Sequence, residues 1–186
     1  DPNCALNIWI IKPVGASRGR GIYLMNDVTQ LNHISHSYGT NVVVQKYIER
    51  PLLLRRGKKF DLRLYVLVTR FSPLEAFIYR EGFARFASER YTTQSHELDN
   101  KFIHLTNTAI QDNYCDVSER TMDTKCTLEE LKYLLEQEYG HVSYDVLWER
   151  MIRTVLSSLY IVEKNITEDD NNSRGNGNGT KRHQHC

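Results

Sequence analysis

A cation, an anion and a cation stand at every second position in Lys59, Asp61 and Arg63, with the phenol of Tyr65 next in the series. An arginine fork matches phosphate or carboxylate geometry, and lysine supplies a compact point charge for the same groups. Such a row suits chemistry on an anion, provided one backbone element turns all of these side chains the same way. A β-strand does this, because its side chains alternate between faces. The stretch from Leu62 to Val68 is rich in leucine, β-branched and aromatic residues, as strands are,. Leu62, Leu64, Val66 and Val68 then form the opposite, fully apolar face. The pattern predicts a strand over Leu62–Thr69, central in a mixed sheet, with Lys59, Asp61, Arg63 and Arg85 facing one cleft. An amphipathic edge strand produces the same alternation, and this stretch alone does not separate the two.

A second candidate is the loop Gly15-Ala16-Ser17-Arg18-Gly19-Arg20-Gly21, set between the apolar runs Asn7–Lys12 and Ile22–Met25. It lacks the G-x-x-x-x-G-K-[ST] of a Walker loop, and Leu24 stands where a dinucleotide fingerprint needs its third glycine. What remains is a hairpin flap whose amides and arginines can close over phosphates, or a plain tight hairpin. Arg85 lies in the apolar run Phe83–Ala87 and needs a partner, because an unpaired buried charge is costly. His183, His185 and Cys186 have no companion cluster and are not read as a metal site.

The elements that must hold these residues follow in order. Asp27 can cap a short helix to about His36, with a turn at Tyr38-Gly39. Val42–Ile48 reads as a third strand, and a basic loop with Arg55, Arg56 and Lys58 leads into the charged row. Leu74–Arg80 alternates and should pair back as a hairpin. Ser88–Asn100 reads as a polar loop, and Phe102–Ile110 as extended at first. Thr127-Leu128-Glu129-Glu130 is a capping box, opening a helix to about Glu138 that Gly140 stops. Ser143 caps a second helix, with Val146, Leu147, Met151, Ile152, Val155, Leu156 and Leu159 at helical spacing. From about Thr167 the chain has no hydrophobic content and reads as disordered.

Composition narrows the classes. The 186 residues suffice for one substantial domain or a large piece of one, at 40% hydrophobic and 25% charged residues,. A net charge of +1 gives no argument for nucleic acid or membrane,. No apolar run approaches the roughly 20 residues that span a bilayer. The 4 cysteines are scattered without a C-x-x-C pair, which fits reduced thiols in a cytosolic protein,. Two tail sequons, at Asn165 and Asn171, read as chance, and an opening at Asp1 without methionine reads as an excerpt.

Taken together, six segments resemble the tubulin–tyrosine ligase-like proteins, most of all their glutamylating members. They are Lys12-Pro13, Arg18-Gly19-Arg20-Gly21-Ile22, Gln45-Lys46-Tyr47-Ile48, Lys59-Phe60-Asp61-Leu62-Arg63, Arg80-Glu81-Gly82-Phe83-Ala84-Arg85 and His104-Leu105-Thr106-Asn107, in the family's order. The resemblance implies an α+β, ATP-grasp-like fold, with a mixed or antiparallel sheet and flanking helices, holding ATP between two lobes, and a ligase that adds an amino acid, glutamate foremost, to tubulin through an acyl phosphate. It implies that Lys12 reaches the α-phosphate, that Arg18, Gly19, Arg20 and Gly21 form the phosphate flap, and that Gln45, Lys46, Tyr47 and Ile48 form the adenine hinge. Lys59 and Asp61 would contact the nucleotide and Arg63 the transferred phosphate. Arg85 would take the incoming amino acid's carboxylate, with Thr106 and Asn107 completing the phosphate end. The implied partners are tubulin or microtubules, through the acidic C-terminal tail, and the free amino acid. The implied setting is the cytoplasm and cytoskeleton, including cilium or basal body.

The chain departs from the family where Mg²⁺ should bind, through an aspartate and a later Glu-x-Asn on strands after the long helix. Glu163-Lys164-Asn165 spells that motif but falls where the helix should end, and is read as a decoy. With the N-terminal lobe also absent, the expectation is a partial domain over 1–166 and a polar tail over 167–186, inactive alone. A non-catalytic nucleotide- or microtubule-binding relative and a tubulin glycylase are the alternatives. A nucleic-acid binder fits poorly, because the basic residues near Arg55 have no aromatic stacking platform beside them.

Overall fold

The computed structural model describes residues 6–27, 29, 41–113, 124–140 and 143–175. Among the described residues nine strands fall into three sheets, and every strand pairing is antiparallel. The class is α+β. The first sheet places β1 (Trp9–Pro13) between β2 (Tyr23–Met25) and β3 (Val42–Lys46). The second runs β4 (Leu53–Leu54), β5 (Lys58–Arg63), β8 (Phe83–Arg90), β9 (Lys125–Thr127). A separate hairpin pairs β6 (Val66–Phe71) with β7 (Leu74–Ile78).

The single strand expected over Leu62–Thr69 is two strands, and the sheet, expected to be mixed or antiparallel, is antiparallel in every described pairing. The strand divides at Leu64-Tyr65 because its partner changes. Arg63 is still paired with Phe83 on β8, whereas Val66 is paired with Ile78 on β7. Gly82 marks the exchange, since a Cβ there would meet the carbonyl oxygen of Arg63 at 2.3 Å. Only a residue without a side chain lets the incoming loop pass so close to the end of β5.

Within β5 the alternation holds. Phe60 and Leu62 turn to a core of Leu54, Ala84, Phe86, Cys126, Leu128, Leu131 and Leu135. Phe60 stacks on Phe86, its cross-strand partner, with ring centroids 5.3 Å apart. Lys59, Asp61 and Arg63 take the other face, as strand geometry requires. A second core of Ile8, Ile10, Leu24, Tyr47, Leu98 and Leu105 lies under the first sheet.

The helices differ from expectation at several points. Phe102–Ile110 is not extended: it holds α1 (Lys101–His104) and α2 (Thr108–Gln111). Asn100 starts the first by accepting a hydrogen bond from the Phe102 amide at 3.1 Å, an ordinary cap. The apolar run Phe83–Ala87 is strand, and β8 continues to Arg90, taking the start of what reads as loop. Helix α3 (Leu128–Tyr139) begins with both bonds of the capping box, Glu130 N to Thr127 Oγ1 at 3.1 Å and Thr127 N to Glu130 Oε2 at 2.8 Å. Gly140 ends it at φ +92°. Helix α4 (Ser143–Gly175) has Ser143 as its first residue, and extends into the stretch read as disordered. Once a helix is nucleated, each added residue gains a backbone hydrogen bond, so polar composition did not stop it. Glu163 therefore lies within α4 rather than at its end. Of the helix expected after Asp27, only its start is described, with Asp27 Oδ1 accepting from the Thr29 amide at 2.9 Å. Its remainder, the turn at 38–39 and the final eleven residues lie outside the described residues. No helix among those described is long and apolar enough to cross a membrane.

Candidate functional site

Lys59 leaves β5 on the face turned away from the first core and reaches Tyr47 of the second. Its ammonium donates to the Tyr47 hydroxyl at 2.9 Å and to the His104 carbonyl at 2.8 Å, and lies over the Tyr47 ring at 4.7 Å. Burial lowers its pKa to about 8, opposed by the nearby Asp61 carboxylate and assisted by Lys12. Lys12 and Lys59 are thus close enough to repel, and Lys12 donates to Gln45 Oε1 on the adjacent strand at 2.7 Å. Burial also pushes the Tyr47 phenol up, so it stays protonated.

Behind Lys59 a directed chain of hydrogen bonds runs through His104, which is only 1% exposed. Its Nε2 faces the Glu97 carbonyl at 3.1 Å and its Nδ1 faces the Tyr47 hydroxyl at 3.1 Å. A carbonyl only accepts, so Nε2 carries the proton, and in the neutral ring Nδ1 accepts. The ring is neutral: burial, with the Lys59 charge beside it, lowers its pKa to about 4 against the pull of the Glu97 carbonyl.

The second half of the site is cationic. Arg18, Arg63, Arg85 and Asn107, with Thr108, Ala109 and Asp112, line one cleft of about 410 Å³. Arg85 stands opposite Asp61 in the β5–β8 register and donates to it twice, Nε to Oδ1 at 2.7 Å and Nη2 to Oδ2 at 2.5 Å. That pairing raises the Arg85 pKa further. The flap reaches the cleft by packing on α2: a Cβ at Gly19 would lie 2.4 Å from Ile110 Cδ1 and 3.0 Å from Asn107 Oδ1. Gln111 anchors α2, accepting from the Ser88 amide and hydroxyl at 2.8 and 2.5 Å and donating to the Leu105 carbonyl at 2.5 Å.

The structure thus brings together Lys12, Gln45, Tyr47, Lys59 and Asp61 on one side, and Arg18, Gly19, Arg63, Arg85 and Asn107 on the other, with Asp61 touching both. Other expected residues stand apart. Lys46 turns to the opposite face of β3, where it pairs with Glu49 at 3.1 Å and lies over Trp9. Arg20 folds back onto its own loop, donating to the Ser17 carbonyl and hydroxyl at 3.3 and 3.4 Å. Gly21 shares the left-handed backbone of the flap at φ +69°. Ile48 is 71% exposed and Thr106 is buried beside the cleft rather than lining it. His104, Tyr91 and Gln111 carry the site without having been assigned a role from sequence. A histidine flanked by Ile103 and Leu105, and a glutamine directly after Ile110, are the available signal. A larger groove of about 900 Å³, lined by Arg55, Arg56, Lys58 and Arg90 but also by Glu89 and Glu97, contains none of the expected site residues.

Residues 1–175 match the model of the Tubulin-tyrosine ligase family. The chain is 39% identical over 171 residues to a probable alpha-tubulin polyglutamylase of Tetrahymena thermophila, covering 87% of this chain and 41% of the relative. It is 38% identical over 172 residues to a probable tubulin polyglutamylase of Caenorhabditis elegans, 88% of this chain and 39% of that protein. A Tetrahymena tubulin glycylase matches at 38% over 172 residues, 89% of this chain and 16% of the relative. The chain thus spans about two fifths of the length of the first two relatives. The match runs through every element that builds the cleft, and the chain belongs to the tubulin-tyrosine ligase family.

Proposed function

We propose that this chain supplies the nucleotide- and carboxylate-handling part of an ATP-grasp-like ligase that joins an amino acid, glutamate foremost, to a glutamate side chain of tubulin. The observation that carries the reading is the convergence of Arg18, Arg63 and Arg85 on one cleft beside Asn107, on the side of β5 that also bears Lys59. Three guanidinium groups line this cleft with Asp112 as the one carboxylate among its lining residues; that excess of positive charge calls for anionic ligands, and a triphosphate next to two substrate carboxylates supplies them.

In this reading the Gln45–Ile48 segment holds adenine, Lys12 and Lys59 hold phosphates, and the Arg18–Gly21 flap covers them. Arg63 meets the phosphate in transfer, and Arg85 takes the donor amino acid's carboxylate, with Asn107 closing the phosphate end and Thr106 buried behind it. A tubulin carboxylate oxygen bonds to the terminal phosphorus and the nucleoside diphosphate leaves with the bonding pair. The donor's amine then bonds to the acyl carbon, phosphate leaves, and the amine gives up a proton. Charge neutralisation and positioning carry phosphoryl transfer. Magnesium belongs to that chemistry. Among the described residues, however, no group of three or more His, Cys, Asp or Glu side chains gathers to hold an ion, and Asp61 is taken by Arg85, so no step is derived through it. Association with the cytoskeleton, cilium or basal body included, follows from the substrate.

Glycine as donor is the second reading, supported by the glycylase relative. The test is transfer of labelled glutamate or glycine to polymerised tubulin by the whole protein, comparing wild type with Arg63→Ala. A loss on the order of 10²–10³ in rate with nucleotide binding retained is the expected result. Near-normal transfer by the variant removes Arg63 from the reaction.

A further inference from the structure

We propose that His104 is a positioning residue of the nucleotide site, fixing the Lys59 ammonium through the hydroxyl of Tyr47. The inference rests on the reading of Lys59 as a phosphate ligand. His104 is buried and reaches no substrate, so it acts only through what it holds.

The direction of the chain carries the argument. Because the Glu97 carbonyl takes the Nε2 proton, Nδ1 has a lone pair and the Tyr47 O–H must donate to it,. That donation turns the lone pairs of the Tyr47 oxygen outward, where the Lys59 ammonium donates. Reversed, the phenolic proton would point at the ammonium protons and the contact would be repulsive. His104 thereby turns the Tyr47 hydroxyl to accept from Lys59, with the Tyr91 phenol also interacting with that hydroxyl. It also offers its own carbonyl to the same ammonium. A lysine head has three N–H donors on a flexible stem; two are held by His104 or by the residue it orients, leaving one for a ligand. The rings of Tyr47 and Tyr91 meet the imidazole edge-on, each with its centroid 5.7 Å away, and clamp the ring in place. Tyr91 is itself tied to the Glu49 carbonyl at 2.9 Å.

The experiment is a double-mutant cycle on binding of a fluorescent ATP analogue to the full chain. Lys59→Met is expected to weaken binding roughly tenfold or more, and His104→Phe roughly tenfold, in line with loss of charge-assisted hydrogen bonds. Combined, the two should bind no worse than Lys59→Met alone. His104→Asn, whose Oδ1 takes the place of Nδ1 as acceptor, should stay within about threefold of wild type. Independent multiplication of the two losses marks general structural damage and overturns the proposal. So does wild-type binding by His104→Phe when Lys59→Met binds poorly. If Lys59→Met binds as wild type does, the nucleotide reading itself falls and takes the proposal with it. Should His104→Phe fail to fold, Tyr47→Phe, which removes only the hydroxyl, completes the same cycle with the same two outcomes.

Discussion

Asp61 and Arg85 face each other across β5 and β8 and share two parallel hydrogen bonds, so that the cleft's only doubly held arginine among the described residues is held from the strand that carries Lys59. The Arg85 side chain is 19% exposed and that of Asp61 38%. The pair is half in water, and its worth is that of a well-formed, partly screened fork. A double-mutant cycle with Asp61→Asn and Arg85→Lys should give a coupling of about 1–2 kcal/mol in denaturant unfolding. A coupling near zero would mean that the fork contributes nothing to the fold.

Lys59 trades stability for charge. Its folded pKa of about 8 lies below the ordinary lysine value of 10.5. Below pH 8 both folded and unfolded states are protonated and the fold bears the full desolvation penalty, which fades as pH rises from 8 to 10.5. Lys59→Met should therefore be more stable than wild type at pH 7, by on the order of 1–2 kcal/mol after its lost hydrogen bonds are counted. The advantage should vanish near pH 10.5. Thermal denaturation at the two pH values measures it, and a less stable variant at pH 7 contradicts it.

His104 should make the fold sensitive to acid. The groups around it are the Tyr47 and Tyr91 phenols, the Lys59 ammonium, and Glu97 through its carbonyl and its charge. With a folded pKa of about 4 against 6.5 unfolded, the unfolded state binds more protons between those values. The stabilisation is complete above pH 6.5 and is lost as pH falls toward 4, by on the order of 3 kcal/mol. Urea titrations of wild type and His104→Asn across that window should show the slope in the first and not the second.

Gly19 holds the flap to α2 with no room for a methyl group, at φ +76°. Gly19→Ala adds left-handed backbone strain of about 1–2 kcal/mol to the steric clash, and the flap should lift. Binding of ATP should fall roughly tenfold while binding of adenosine, which lacks the phosphates, stays unchanged. Equal losses for both ligands would place the effect in the whole site.

What was legible in the sequence was local. The alternation of Lys59, Asp61 and Arg63 against Phe60 and Leu62, the Thr127 capping box and the β6–β7 hairpin all follow from neighbours a few residues apart, and all are present. The break at Leu64-Tyr65 is not legible, because it depends on where β8 and β7 hand over as partners, at Phe83 and Ile78 further down the chain. Phe102–Ile110 read as extended because its apolar residues serve tertiary packing over α1 and α2. Lys46 and Arg20 were read from their motifs as parts of the site. Their side chains instead go to Glu49 and to Ser17, which spacing alone does not reveal.

The stacking of Phe60 on Phe86 has a consequence for anyone sorting natural variants of this chain. These rings stand next to Asp61 and Arg85 on the same two strands, facing away from the cleft. A smaller residue at 60, 62, 84 or 86 touches no ligand, and a survey by proximity would file it as benign for activity. Yet any shift of β5 against β8 that fills the gap carries the Asp61–Arg85 fork with it. Clinical or evolutionary scoring of such positions should weigh them as if they lay in the site, because one pair of strands serves as both foundation and workbench.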